Sequence, residues 1–252
     1  MARDMLTVCL PPTDPDDVPQ ALSVAMAPFW YDAQPAPDGT WQGEWDWWHI
    51  FGGDGPHGLP VRTGHEDDPR LVRHPFWLDG TARPPQPADR CDGGPRGLLD
   101  LDLDRVPVAE ALGADWDGWT AFSADHHPAL SEPAVIEQAS DGRAGRAAFY
   151  EQPVIRAVTA LRARDGEQAP TWARVVDPVA RYAGSREQYV RRWVSRVVPT
   201  NVLLTLDGRW LDGTARSTDP DALVGNTYFD FADRYLDTLA EDALIVRIRF
   251  HA

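Results

Sequence analysis

The chain has 252 residues, of which 43% are hydrophobic and 25% are charged, and its formal net charge is −15 at pH 7. This length and composition suit a soluble globular protein, and no apolar run approaches the roughly 20 residues that a membrane-spanning helix needs. The negative charge argues against a nucleic-acid partner, because binding to a phosphate backbone needs clustered cations.

The first predicted elements are a strand and an amphipathic helix. Residues 5–10 are an apolar run that stops at two prolines, which is typical of a short strand. Asp14 is placed to cap a helix that begins at Pro15, and the apolar residues that follow recur at helical spacing up to Pro28.

The most distinctive segment is WDWWHIFGG, residues 45–53, which holds three of the 11 tryptophans. Alternate side chains of a strand share a face, and one face would carry Trp45, Trp47, His49 and Phe51. Large apolar residues also occupy the other face, so the pattern predicts a central strand covered on both sides. Gly52-Gly53 predicts a turn at its end.

A long irregular stretch, residues 52–97, follows this strand. Glycine, proline, aspartate, arginine and histidine dominate it, and a stretch of this length inside a compact domain is typical of a lid, a binding loop or a disordered insert. Residues 61–63 and 76–78 are candidates for short strands or anchors within it.

The remaining elements are predicted from capping and turn signals. Residues 98–104 alternate leucine with aspartate and predict a strand, with Asp104 capping the helix that follows. Residues 114–148 are loop-like in composition. Further signals are Pro153 as a helix start, a capping box at residues 185–188, a hairpin at 201–211 with a type I′ turn at Asp207-Gly208, a helix over 226–241 and a strand over 243–250.

These elements predict an α+β fold with a mostly antiparallel sheet and helices packed on one face. Few strands stand in a strand–helix–strand series and one hairpin is clear, and a ferredoxin-like core is one arrangement that fits. The first and last strands would both be central in such a core. We read residues 1–252 as a single domain with an irregular insertion at about 52–97.

The tryptophan segment resembles a motif, Trp-Asp-Trp-Tyr/Trp-x-Ile-Gly-Gly-Arg-Trp, of a group of proteins without known activity that actinobacteria and their phages encode. Weaker similarities lie at Asp102-Leu103-Asp104, in the hairpin at 204–210 and in a closing helix and strand near His251. The resemblance implies a shared fold and no activity. Asp54-Gly55 stands where the group has Arg-Trp, so no role of that pair carries over.

The absence of lysine excludes several chemistries, since all 24 basic residues are arginine. Pyridoxal-phosphate catalysis lacks its Schiff-base lysine, and P-loop or kinase ATP chemistry lacks its phosphate-binding lysine. No cofactor is otherwise indicated. Cys9 and Cys91 make no disulfide framework, and the first residues hold no apolar segment long enough for a signal peptide, so a cytoplasmic location is expected.

The leading catalytic candidate is His49, because a rigid strand would hold it beside aromatic side chains. A polar group with aromatic walls suits a flat organic ligand, and the predicted ligand-binding residues are Trp45, Trp47 and Phe51. Histidine and carboxylate together support acid–base chemistry, so Asp46, His57 and His65 complete the catalytic candidates.

Each candidate also has a purely structural interpretation. His49 fits a buried histidine bonded to backbone, and residues 49–74 fit a solvated polar loop as well as a divalent-metal site, although their spacings match no zinc signature. Asp100, Asp102 and Asp104 fit an exposed strand face as well as a Mg²⁺ or Ca²⁺ site. Cys91 is a weak nucleophile candidate, because the aspartates around it would raise its pKa.

Three functions stay open from the sequence. The favoured one is a protein, enzyme or binder, that takes a small organic molecule between the tryptophan strand and the 52–97 loop. The alternatives are a protein–protein interaction module with exposed aromatic residues and an acidic phage-type inhibitor that mimics DNA. The sequence does not indicate the reaction or the oligomeric state.

Overall fold

A computed structural model describes residues 3–32, 43–51, 57–77, 79–85, 87–215 and 222–251. The chain divides into two compact units, Met1–Arg105 with Ser195–Ala252, and Val106–Val194. The single domain stays a prediction. The predicted turn at Gly52-Gly53 lies outside the described residues. So does Asp54-Gly55, where the sequence differs from the motif of the actinobacterial and phage group.

The described strands are β1 (Arg3–Leu10), β2 (Trp47–Ile50), β3 (Leu59–Pro60), β4 (Arg90–Cys91), β5 (Gly93–Pro95), β6 (Val202–Leu204), β7 (Trp210–Asp212) and β8 (Leu244–His251). Six of them form a mostly antiparallel sheet in the order β2-β8-β1-β6-β7, with β5 also paired to β8. β3 and β4 pair separately. Together with the helices below, this sheet confirms the predicted α+β class.

The described helices are α1 (Val18–Met26), α2 (Asp102–Ala124), α3 (Glu132–Gln138), α4 (Gly142–Glu151), α5 (Pro153–Asp165), α6 (Pro178–Arg181), α7 (Arg186–Val194) and α8 (Gly225–Thr238). Within the described ranges, none of these helices is both long and apolar enough to cross a membrane.

The centre of the sheet is the antiparallel pair of β1 and β8. Their register pairs Arg3 with His251 and Leu10 with Leu244, which confirms that the first and last strands are central. β1 also pairs directly with β6 in parallel. A ferredoxin-like core places a third strand between the two parallel strands of its split βαβ unit, so the direct pairing departs from that arrangement.

The two helices that flank the sheet pack on opposite faces rather than on one. Successive side chains of a strand point to opposite faces. Leu6 and Val8 of β1 lie in one core cluster with Leu22 of α1, whereas Cys9 lies in the other with Tyr228 of α8. The strand period therefore separates two cores, one under each helix.

The tryptophan segment forms an edge strand, so its predicted central position is wrong. β2 pairs with β8 alone in the described sheet, and it shares that edge of β8 with β5. Ile50 and Trp48 contribute to the core under α1. The second apolar face of the segment does not enter a core, and it lines the candidate site described below.

The strand predicted over residues 98–104 is also wrong. A short 3₁₀ turn covers Arg96–Leu98 and α2 begins at Asp102. Asp102 bonds to Arg105 at 3.1 Å, and Asp104 bonds to Arg90 at 2.6 Å. The aspartates are therefore not arranged along one strand face.

The hairpin of β6 and β7 is confirmed, but its turn differs from the predicted type I′. A type I′ turn needs positive φ at both central residues. Gly208 has φ +79°, whereas no described residue other than glycine has positive φ, so Asp207 does not meet that requirement. The amide of Gly208 donates to the carbonyl of Thr205 at 3.0 Å, so the left-handed glycine is the last residue of a turn over residues 205–208.

The unit Val106–Val194 is helical in its described elements, so the predicted loop over residues 114–148 is wrong. Its core gathers Trp119, Phe149, Val154, Ile155, Val158, Tyr182 and Tyr189. Pro153 opens α5 as predicted. The capping box is confirmed, because the amide of Gln188 donates to Ser185 Oγ at 3.2 Å and the amide of Ser185 donates to Gln188 Oε1 at 3.1 Å.

Candidate functional site

The sheet face under α8 changes from apolar to polar along β8. Ile245 lies in the α8 core, and the residues that follow at alternate positions of the same strand are Arg247, Arg249 and His251. The β2–β8 register sets Trp47 opposite His251 and His49 opposite Arg249. Because paired residues share a face, the sheet itself brings aromatic, imidazole and guanidinium groups together.

An open pocket of about 750 Å³ lies on this polar part of the face. Its lining residues are Trp47, His49, Phe51, Trp77, Asp79, Thr81 and Arg249. Four lining residues therefore come from β2, from the residue that follows β2 and from β8. The other three come from the loop before β4. Its volume lies in the range of roughly 300–1,000 Å³ that is usual for small-molecule sites.

Two arginines contact the aromatic rings of the pocket, and of these Arg249 also lines it. The rings of Phe51 and Trp77 lie 5.4 Å apart between centroids. The guanidinium carbon of Arg249 lies 4.3 Å from the Phe51 centroid, and that of Arg83 lies 5.1 Å from it. Such cation–π contacts hold the rings and the guanidinium groups in fixed relative positions.

The loop that carries Trp77 is anchored by a buried ion pair. Arg83 and Asp92 lie 3.2 Å apart, with side-chain exposures of 1% and 0%. The amide of His74 donates to Asp92 Oδ2 at 2.7 Å, and Arg83 Nη1 donates to the carbonyl of His74 at 3.0 Å. These bonds fasten His74 and Arg83, which lie on either side of Trp77 in the sequence, to the segment that joins β4 and β5.

His49 is held in one orientation by a backbone carbonyl. Its Nε2 lies 2.9 Å from the oxygen of Phe76, and His74 Nδ1 lies 3.0 Å from the same oxygen. A carbonyl only accepts, so we assign the hydrogen of neutral His49 to Nε2. Nδ1 of His49 then has a free lone pair, since it makes no hydrogen bond within the described residues.

Burial keeps the His49 imidazole neutral. Desolvation is the largest influence on its pKa and lowers it from the ordinary value of 6.5, with smaller contributions that include the nearby His74 and Arg83. The bond to Phe76 acts in the opposite direction and is weaker. A neutral imidazole with one free nitrogen is able to accept a proton near pH 7.

Of the four residues predicted to share one face of the tryptophan strand, three lie together and one does not. Trp47, His49 and Phe51 line the pocket. Trp45 packs on the α1 side of the sheet, where its Nε1 donates to the carbonyl of Met26 at 2.9 Å. Trp45 does not share the face that the sequence predicts for it. It lies before β2, and the alternation of side chains between the two faces begins only within that strand.

The other predicted catalytic residues have separate places. Asp46 Oδ1 accepts a bond from His251 Nδ1 at 2.6 Å, and the His251 ring stacks on Trp47 with centroids 5.8 Å apart. His57 is exposed beside a different cavity of about 290 Å³. His65 is exposed in a turn, where its amide donates to the carbonyl of Arg62 at 3.0 Å. The structure therefore does not bring His57 or His65 into the pocket.

Sequence reasoning missed Trp77, Asp79, Thr81 and Arg249. The first three follow no periodic pattern, because they lie in a loop whose path depends on the distant Asp92. Arg249 had a usable signal: Arg247, Arg249 and His251 alternate with apolar residues in β8. That alternation indicates a strand with one polar face.

Cys91 does not have the properties of a nucleophile. It is buried, and desolvation raises its pKa to about 12, so it stays a thiol near neutral pH. Among the described histidine, cysteine, aspartate and glutamate residues, no group of three or more could hold a metal ion.

The chain matches no protein-family model, and no curated protein or solved structure shows significant similarity to it. The resemblance to the actinobacterial and phage proteins therefore stays a prediction.

Proposed function

We propose that this protein binds a small organic molecule in the pocket of Trp47, His49, Trp77 and Arg249, and acts on it by acid–base chemistry. The observation that carries the proposal is the free Nδ1 of a neutral imidazole, fixed on a strand within a pocket of ligand size. Aromatic side chains supply the apolar contact area that such ligands need.

In this mechanism His49 is the general base. Nδ1 accepts a proton from the ligand, and the imidazolium that forms keeps its Nε2–H bond to the carbonyl of Phe76. A fixed acceptor on one imidazole nitrogen sets the tautomer and aims the other nitrogen, as in other histidine bases. The His251 ring stacks on Trp47 and is itself bonded to Asp46. This contact positions the Trp47 wall of the pocket beside His49.

The experiment is a screen of neutral and charged one- and two-ring aromatic fragments against the 15N-labelled protein. We expect the indole N–H signals of Trp47 and Trp77 to shift, while those of Trp119 and Trp172 in the helical unit stay in place as an internal control. His49→Gln should abolish any ligand proton transfer, and His127→Gln should not. A screen in which no fragment moves the Trp47 and Trp77 signals would rule out this site.

Two wider proposals rest on the sequence. Membership of the actinobacterial and phage group rests on residues 45–53, and a cytoplasmic location rests on two cysteines that are both free and buried. Free thiols are the usual state of cysteine in a reducing compartment such as the cytosol. Expression of a fluorescent fusion in the source cell tests the location, and a signal at the envelope would contradict it.

A further inference from the structure

Arg249 brings into the pocket a positive charge that no described residue neutralises with an ion pair. Its guanidinium lies over the ring of Phe51. Within the described residues it makes neither an ion pair nor a hydrogen bond. The charge is therefore available to a ligand.

Arg83, on the same aromatic ring, shows the contrasting case. Its guanidinium also lies close to Phe51, but it is buried and paired with Asp92. Carboxylates are not scarce, because the chain has 39 acidic residues and 24 basic ones. Arg83 thus has an acidic partner, whereas among the described residues Arg249 contacts the Phe51 ring and has no acidic partner.

The carboxylate that lines the same pocket is Asp79. Its Oδ1 accepts bonds from the hydroxyl of Thr81 at 2.7 Å and from the amide of Thr81 at 2.9 Å. The hydroxyl bond, followed by the amide bond, lowers the pKa of Asp79. Asp79 is therefore ionised near neutral pH and disfavours a second negative charge on a ligand.

We infer that the ligand is a planar aromatic monocarboxylate, whose carboxylate pairs with Arg249 and whose ring contacts Trp47, Phe51 and Trp77. The guanidinium fork matches a carboxylate in shape and charge, and aromatic walls favour a flat ring. A dianion such as a phosphate monoester fits less well because of Asp79. This inference rests on the proposed function, since it names the ligand class of the same pocket.

The test compares matched probes by calorimetry and by the indole N–H signals. The probes are 2-naphthoate, its neutral isostere 2-naphthamide, and 2-naphthyl phosphate. We expect 2-naphthoate to bind more tightly than 2-naphthamide by on the order of tenfold to a hundredfold, the usual strength of a hydrogen-bonded charge. The phosphate should bind more weakly than 2-naphthoate.

Arginine variants assign the preference to one residue. Arg249→Gln should remove the advantage of 2-naphthoate over 2-naphthamide, while binding of the amide is retained. Retained binding of the amide also shows that the variant is folded. Arg62→Gln, an exposed arginine outside the pocket, should leave the preference unchanged.

The outcomes separate the assignment of the ligand as a carboxylate from the proposal that the pocket is a binding site. If the acid and the amide bind equally and both shift the Trp47 and Trp77 signals, the carboxylate assignment fails and the binding site stands. If the phosphate binds best, the ligand is a dianion and the inference is again wrong. If none of the three probes binds, the inference fails, and the wider fragment screen decides whether the pocket binds any small molecule.

Discussion

Arg83 and Asp92 form an ion pair from which solvent is almost fully excluded, with side-chain exposures of 1% and 0%. Removing two charges from water is costly, and such a pair is stable only while each partner neutralises the other. The pair does not line the pocket, yet it holds the loop that supplies Trp77. The shape of the site thus depends on Arg83 and Asp92, two charged residues that do not line it.

We expect Asp92→Asn to reduce the free energy of unfolding by roughly 3–5 kcal/mol, because it removes the negative charge that Asp92 sets against the buried guanidinium of Arg83. Urea unfolding followed by tryptophan fluorescence measures the loss. Asp67→Asn, the same substitution at an exposed residue of the preceding segment, should change this free energy by less than about 0.5 kcal/mol. Equal losses in both variants would show that the pair does not hold the loop.

Stability should depend on the protonation of His49. Burial lowers its pKa in the folded protein from the ordinary 6.5, so protons bind the unfolded chain more tightly. The contribution of neutral His49 to the free energy of unfolding is therefore complete above pH 6.5. It is lost as the pH falls through the lowered pKa of His49 in the folded protein.

The measurement is urea unfolding between about pH 5 and 8, the range in which histidine titrates. His49→Gln keeps a donor for the carbonyl of Phe76 and does not titrate. We expect the variant to lose less stability than the natural protein on acidification. Parallel pH profiles for the two proteins would contradict the burial of this imidazole.

Much of the sheet could be predicted because its signals are local. The apolar alternation of β8 and the Asp-Gly turn before β7 depend on neighbouring residues, and both elements are present. The edge position of β2 was not predictable, because apolar residues on both faces suit either a second core or a pocket. Nothing near Trp77 in the sequence indicates Asp92, so the wall of the site was missed as well.

The helical unit was the least predictable part for a similar reason. Residues 114–148 contain glycine, aspartate and proline, which lower helix propensity. α2 nevertheless continues to Ala124, and Trp119 contributes to the core of that unit. Packing of large aromatic side chains offsets weak local preference, and single-sequence patterns do not contain that information.

Gly93→Ala should destabilise the pairing of β5 with β8. A Cβ at this position would lie 2.5 Å from the oxygen of Ile245 and 2.8 Å from the Cα of Val246, both backbone atoms. Relieving the overlap requires a backbone shift, which typically costs about 1–3 kcal/mol. Thermal unfolding measures the effect. Gly142→Ala in α4, where nothing lies within 4 Å of the new Cβ, is the control, and a similar loss there would argue against a steric cause.

Cys9 and Cys91 should resist thiol reagents in the native protein. Both are buried, and desolvation raises the pKa of each thiol. Because the thiolate is the reactive form, 5,5′-dithiobis(2-nitrobenzoate) should modify them far more slowly in buffer than in denaturant. Rapid release of the coloured product from the folded protein would show that at least one thiol is accessible.

The place of β8 in the sheet has a consequence for biosynthesis. β1, β2 and β5 all pair with it, and β2 has no other strand partner in the described sheet. The ribosome delivers these three strands long before residues 244–251, so the hydrogen-bonding edges that they present to β8 stay unpaired until β8 is synthesised. A nascent chain halted before β8 would expose surfaces that aggregate or recruit chaperones, and folding of this unit is expected to follow, rather than accompany, its synthesis.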